Sequence, residues 1–210
     1  MPELEIIGAP QSNYVWVCRI AAAEKGVPCT LTAAMPHTPE VKAASPTGKI
    51  PGMRHGDLAL GESKAICSYI DRASPGPALI PADPAVAAKV EQWISIVNTL
   101  VDPVCMRQYL VGYVFPGTPD GSPNRPLIEG ALPKMGPILD MLDGAVAATG
   151  HLAGPGFTLA DANLVPILYY MTKFPESGPM LAERRNLSAY LDRMMSRPSI
   201  AATVPPPPKR

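Results

Sequence analysis

Apolar residues fall into two kinds of pattern along this chain, and the change comes near residue 75. Before it, short apolar runs alternate with helical periodicity. Residues 3–9, ELEIIGA, predict a first strand, and residues 8–13 a turn. From 14 to 25, Val15, Ile20, Ala22 and Ala23 mark a helix, with Gly26 suited to the position just past its end. Residues 27–32 read as a second strand. So short a strand-helix-strand spacing makes the two strands parallel neighbours joined by a right-handed crossover. A polar connection with a helical turn near 39–44 follows. Strands at 49–54 and 58–60, split by His55-Gly56-Asp57, form an antiparallel hairpin. From Ser63, the positions Ala65, Ile66, Tyr69, Ile70 and Ala73 keep one helical face. That helix opens on Glu62-Ser63. Helix starts carry unpaired N–H groups and partial positive charge, so this one suits a carboxylate or phosphate.

Residues 74–84, SPGPALIPADP, hold four prolines and mark a boundary. Beyond it only helical patterns occur. Val86, Val90, Trp93, Ile94, Val97, Val101, Val104 and Cys105 share a face from 84 to about 115, with Pro103 expected to kink or split the helix. A second long pattern runs 127–148, where Pro133 and Pro137 argue against a straight helix. Thr158 with Asp161 three residues on is a capping box before a helix at 159–173, apolar nearly all round and so central to its domain. Asp161 is read as structural. Helices at 180–185 and 187–195 close at Arg197-Pro198. The fold class is α/β followed by all-α: a small sheet domain at 1–75, a linker at 76–84 and a helical domain at 85–210.

Composition narrows the chemistry. The 210 residues carry 18 Lys+Arg and 18 Asp+Glu, a net charge of +0 that offers no basic stripe for nucleic acid. No apolar run reaches the length of a membrane span, about 20 residues, and the first residues lack a signal-peptide pattern, which predicts a cytoplasmic protein. The four cysteines, at 18, 29, 67 and 105, form no C-x-x-C and no zinc spacing, so they are expected as reduced, buried thiols, and no metal site is expected. The missing C-x-x-C also argues against a thioredoxin-like redox protein. The tail PPPPKR predicts an extended, solvated end.

A combination of motifs now carries a resemblance. Pro46-Thr47-Gly48-Lys49-Ile50-Pro51 and Gly61-Glu62-Ser63-Lys64-Ala65-Ile66 lie in the sheet domain; Phe157-Thr158-Leu159-Ala160-Asp161 and Ser196-Arg197-Pro198-Ser199 lie in the helical part. Together they resemble the cytosolic glutathione S-transferases over essentially the whole chain, in the bacterial type with a serine-type active site. The resemblance implies a thioredoxin-like N-terminal domain, βαβ-ββα, that binds glutathione, an all-helical C-terminal domain that contributes the electrophile pocket, and a symmetric homodimer. It implies a cis Pro51, with the backbone of Ile50 pairing with the cysteinyl part of glutathione as an added strand. Glu62 and Ser63 match the pair that holds the γ-glutamyl end. Lys49 and His37 resemble residues that hold the glycyl carboxylate, and Asn13, between Ser12 and Tyr14, is expected to contact glutathione.

Conjugation needs a thiolate, and a free thiol with a pKa of about 8.5 is mostly protonated at neutral pH. Lowering that pKa by about two units asks for about 2.7 kcal/mol. A hydroxyl donor at the start of the first helix, aided by the helix dipole, supplies roughly that. The chain offers Ser12 and Tyr14 there, and no cysteine. Ser12 is the expected donor, Tyr14 the alternative. The competing reading makes Ser12 a helix cap, a role expected to weaken it as a donor. Met106, Tyr109 and Tyr113 are expected to line the electrophile pocket, with Arg107 the one cation that could meet an anionic substrate; core packing is the competing reading. The expected function is glutathione transfer to small, mostly apolar electrophiles, with glutathione as co-substrate and no separate cofactor. The rivals are a glutathione-dependent isomerase, dehalogenase or peroxidase on the same site, and a non-catalytic glutathione-binding scaffold.

Overall fold

The computed structural model describes residues 3–207; the last three tail residues, Pro208-Lys209-Arg210, lie outside the described residues. The chain divides into two compact units, Met1–Pro81 together with Met195–Arg210, and Ala82–Met194. In the first unit the order is β1 (Leu4–Ile7), α1 (Asn13–Glu24), β2 (Cys29–Thr32), α2 (Pro39–Lys42), β3 (Gly52–His55), β4 (Leu58–Gly61) and α3 (Ser63–Ala73). The four strands form one mixed sheet in the order β2-β1-β3-β4. β1 pairs parallel with β2 and antiparallel with β3, and β3 pairs antiparallel with β4. This is the thioredoxin-like βαβ-ββα arrangement. Ile6, Ile7 and Met53 of the sheet are fully buried, as are Val15, Trp16 and Ile20 of α1 and Ile66 of α3.

The register decides where a site can form. Ile7 is opposite Thr32 in β2 and Gly52 in β3, and Gly52 is opposite Gly61 in β4. One row across the sheet therefore ends all four strands at the same edge. The segments that leave or enter there are residues 8–12, 33–38, 45–51 and 62–63, and the 45–51 loop touches its neighbours through Gly8–Ile50, His37–Gly48 and Gly61–Ser45.

The proline-rich boundary is anchored by a buried charge. Asp71 near the end of α3 accepts from Lys25 Nζ at 3.1 Å and from the N–H groups of Leu79 and Ile80 at 2.8 and 3.0 Å. Lys25 also donates to the Gly76 and Pro77 carbonyls. Pairing and full hydrogen bonding are what make such a buried ion pair tolerable.

The tail differs from its expected form. It is not simply solvated: Pro205 is buried, and α10 (Pro198–Ala201) and the residues after it pack within the first unit.

The second unit contains helices and, among its described residues, no strand. α4 (Pro84–Ile96) is capped by Asp83, which accepts from Ala85 and Val86. The chain then passes Pro103 without breaking. It runs through π-type turns over Val97–Leu110 and returns to α5 (Val111–Val114). Proline lacks an N–H and its ring crowds the carbonyl four residues back, and a wider turn relieves both faults. α6 (Arg125–Thr149) is likewise one continuous helix despite Pro133 and Pro137. Glu129, Pro133 and Pro137 recur every fourth residue and all are exposed, so the carbonyls left unpaired face water. Ile128, Ala131, Met135, Leu139, Leu142 and Val146 bury the other side.

α7 (Leu159–Met171) starts at the capping box, with Asp161 accepting from the Thr158 N–H at 2.8 Å. It is buried over almost its whole length. α8 (Ser177–Ala182) begins three residues before the helix expected there, and α9 is Arg185–Met195.

Candidate functional site

Ser12 is the N-cap of α1. Its backbone is extended, its carbonyl accepts from Trp16 at 3.0 Å, and its Oγ accepts from the Val15 N–H at 3.4 Å. The cap contact is long and uses an oxygen lone pair. The hydroxyl hydrogen is not spent on it, so a capping serine keeps a proton to give. Capping and donating are compatible, contrary to the conflict expected from sequence. Asn13 is buried and Tyr14 half-buried, at the first two helical positions.

The Ile50–Pro51 peptide bond is cis. The ladder of β3 with β1 starts at Gly52, so Ile50 lies beyond the paired register. Gly8 explains how the loop after β1 reaches it. A Cβ there would lie 2.6 Å from Val15 Cγ2 and 3.0 Å from Ile50 Cβ, so only glycine lets Ile50 sit against the start of α1. Across the same edge, a Cβ on Gly61 would meet Ser45 Oγ at 2.7 Å. Gly8 and Ser45 are packing determinants that sequence reasoning missed. Their signal was only a glycine at a strand end and a small residue before the proline turn.

Glu62 is exposed and holds φ at 64°, a left-handed conformation that a side chain with a Cβ rarely adopts. Its carbonyl starts α3 by accepting from Ile66 at 3.0 Å, and Ser63 takes the first helical position. Cys18 Sγ on α1 lies 3.9 Å from the Ser63 carbonyl, which fixes the start of α3 against α1. His37 is exposed at φ 67°, its N–H donating to the Gly48 carbonyl at 2.7 Å. Lys49 is exposed, and its N–H reaches Thr47 Oγ1 at 3.4 Å. Ser12, Asn13, His37, Lys49, Ile50, Pro51, Glu62 and Ser63 thus lie on the loops and helix starts at one edge of the sheet.

Cys18, Cys29 and Cys105 offer no ready nucleophile. Burial pushes Cys18 well up, with the neighbouring Cys67 adding to it. Burial also raises Cys29 to about 11 and Cys105 to about 12. Among the described residues, no three His, Cys, Asp or Glu side chains gather as metal ligands.

Met106, Arg107, Tyr109 and Tyr113 lie in the helical unit. Met106 and Tyr109 are buried. Tyr109 Oη donates to Glu176 Oε2 at 2.8 Å and accepts from the Ser177 N–H at 3.1 Å. Tyr113, half-buried, also donates to Glu176 Oε2, and Arg125 completes the carboxylate at 2.8 Å. Burial works to raise the Glu176 carboxyl, but bonds from Tyr113, Arg125 and Tyr109 win and hold it down at about 2. Burial and the Glu176 bond raise Tyr113 to about 12. Arg107 is exposed and forks onto Asp102 at 2.9 and 3.2 Å. Glu176 was not foreseen: it lies 67 residues from Tyr109, and no local pattern marks it.

Two family models match the chain: the glutathione S-transferase N-terminal domain over residues 6–78 and the C-terminal domain over residues 96–198. The chain is similar to glutathione S-transferase 3 of Zea mays, with 33% identity covering 99% of this chain and 98% of that protein. Among solved structures, it is similar to glutathione transferase F7 of Populus trichocarpa, at TM-score 0.86 and 27% identity over 95% of this chain and 97% of that one. It is also similar to a theta class glutathione S-transferase from the citrus canker pathogen Xanthomonas axonopodis pv. citri with glutathione bound. That match has TM-score 0.79 and 28% identity, covering 97% of this chain and 98% of that one. The bacterial type with a serine-type active site expected from the motifs is not supported by these matches, in which relatives such as the maize protein are plant enzymes.

Proposed function

The chain belongs to the glutathione S-transferase family, and on that basis we propose that it is a glutathione transferase in which Ser12 stabilises the glutathione thiolate. The bound thiol loses its proton to solvent. The sulfur then attacks an electrophilic carbon and forms a C–S bond, while the electron pair leaves with the displaced group or moves onto an activated double bond. Ser12 Oγ–H donates to the anionic sulfur. The N-terminus of α1 adds positive potential, and together they supply the roughly 2.7 kcal/mol that a shift of about two pKa units needs. Tyr14, two residues on, is the alternative donor.

The remaining contacts divide glutathione by its ends. Ile50 presents its backbone to the cysteinyl amide beside Pro51. The Glu62 carboxylate meets the γ-glutamyl ammonium, and Ser63 at the start of α3 meets its carboxylate. Lys49 and His37 meet the glycyl carboxylate, and Asn13 flanks the thiol. Glutathione is a co-substrate, with no further cofactor. The electrophile meets the helical unit, where Tyr113 and Arg107 present surface and Met106 and Tyr109 support them. The working form is a cytoplasmic homodimer.

What carries this reading is Ser12 capping α1 at the same sheet edge as cis-Pro51 and Glu62-Ser63. Ultraviolet difference titration of bound glutathione tests it. Wild-type protein is expected to show a thiolate band near neutral pH, and Ser12→Ala to lose it. A band that survives the substitution moves the donor role to Tyr14 or elsewhere.

A further inference from the structure

α1 is gripped along its length by the end of the chain. At its C-terminal end, the Glu24 carboxylate accepts from Arg197 Nε and Ser199 Oγ, and from Arg197 Nη2 at 2.8 Å. In the middle, the fully buried Trp16 donates its indole N–H to Thr203 Oγ1 at 3.0 Å. That hydroxyl passes its own hydrogen to the Ser199 carbonyl at 2.7 Å. Arg19 Nη1 donates to the Thr203 carbonyl at 3.0 Å. In front of the helix, Gln11 Nε2 donates to the Pro206 carbonyl at 3.1 Å. Gln11 immediately precedes Ser12, and Pro205 beside this contact is buried.

The bonds to the tail each span more than 170 residues of sequence; those of Glu24, Trp16 and Arg19 reach α1 and that of Gln11 reaches the turn before it. A cap that merely closed the fold would need only the buried Trp16–Thr203 and Glu24–Arg197 contacts. The Gln11–Pro206 bond adds nothing to the core. It ties the side chain of the residue before Ser12 to the backbone of the tail. Prolines 205–207 make such a strut stiff, because their φ angles are locked before the contact forms.

We propose that the C-terminal segment 197–206 is a positioning strap for the thiolate donor, holding α1 by Glu24, Trp16 and Arg19 and the Ser12 turn by Gln11. The inference rests on Ser12 being the donor. Gln11, Thr203 and Pro206 are positioning residues: they act on the bound sulfur only through the placement of Ser12. Hydrogen-bond strength falls steeply with misplacement, so loosening the turn weakens the donor more than it weakens glutathione binding, which the far loops carry.

The test compares Gln11→Ala, Thr203→Val, Thr203→Ser and a chain ending at Val204 with wild type. For each folded variant, the thiolate band of bound glutathione is titrated, and kcat and the KM for glutathione are measured. Gln11→Ala and the shortened chain are expected to raise the thiolate midpoint by about one pH unit, about tenfold less thiolate well below it, with KM within about twofold. Thr203→Val is expected to do the same, and Thr203→Ser, which keeps the hydroxyl, to restore the wild-type midpoint. Gln11→Ala removes a half-buried amide and no core side chain, so it stays informative if the shortened chain fails to fold. Unchanged midpoints in Gln11→Ala, with Ser12→Ala abolishing the band, overturn the strap alone. A band that persists in Ser12→Ala overturns the donor assignment and the strap with it. A rise in KM with an unmoved midpoint makes the segment a part of the glutathione-binding fold and also overturns the strap.

Discussion

Glu62 is the residue at which conformation and chemistry oppose each other. Its φ of 64° is a conformation glycine adopts freely and glutamate does not. Strain of this kind costs on the order of 1–3 kcal/mol and persists where the side chain has a use. Glycine offsets part of the gain by its entropy in the unfolded chain, about 0.5–1 kcal/mol. Glu62→Gly is therefore expected to stabilise the first unit by about 1 kcal/mol, read as a higher thermal midpoint. It is also expected to raise the KM for glutathione by roughly 10–100-fold, because a charge-assisted hydrogen bond is lost. A KM that stays put would remove Glu62 from the γ-glutamyl subsite. Neither the strain nor the geometry is legible in the letters G-E-S. The pair was found because an acid and a hydroxyl open a helix, a pattern visible in sequence.

Elements behaved most as their patterns predicted where the determinants are local. The capping box at Thr158 and Asp161 is such a case, since both partners lie within one turn. Tertiary structure then loads Asp161 further: it also accepts from the Leu152 N–H at 2.9 Å and from Tyr190 Oη at 2.9 Å, fully buried. The two halves of the box should therefore differ. Thr158→Ala is expected to cost about 1 kcal/mol, the ordinary value of a cap. Asp161→Ala strands several buried donors and is expected to cost about 3 kcal/mol or more in urea unfolding, which additive loss of one cap cannot reach. Equal costs would mean the outer partners contribute nothing. Elements with internal proline were harder to read. Pro103 was absorbed by π-type turns, and Pro133 and Pro137 lie on the solvent side of α6, so a local widening of the backbone settled the first and the exposed face the second.

Each unit of the whole molecule contains a glutamate held in its charged form by partners far away in sequence. Burial acts to raise Glu24, but Arg197 and Ser199 bring it below its usual range, as Tyr113, Arg125 and Tyr109 bring Glu176 down to about 2. A carboxyl depressed on folding contributes stability fully above its unfolded value near 4.5 and loses it as pH falls toward the folded value. The protein is thus expected to hold a flat urea midpoint from neutral pH to about 5 and to lose stability below it. Glu24→Gln and Glu176→Gln are expected to lower the midpoint at neutral pH and to flatten the acid limb. An unchanged limb in both variants would mean these carboxylates are not linked to unfolding. None of these partnerships could be read from sequence, because Glu24 and Arg197 are 173 residues apart and no spacing rule connects them.

By itself the sequence determined the alternation of strand and helix, the all-helical second half, the proline turn, the helix starts and the family. Those depend on periodicity, turn chemistry and capping, which act over a few residues. Only the tertiary structure decided that four loops share one sheet edge, that Glu176 gathers two tyrosines and an arginine, and that the chain's end grips the helix of Ser12. Those depend on register and on contacts across the fold, where burial and hydrogen-bond geometry choose partners that neighbouring residues cannot specify.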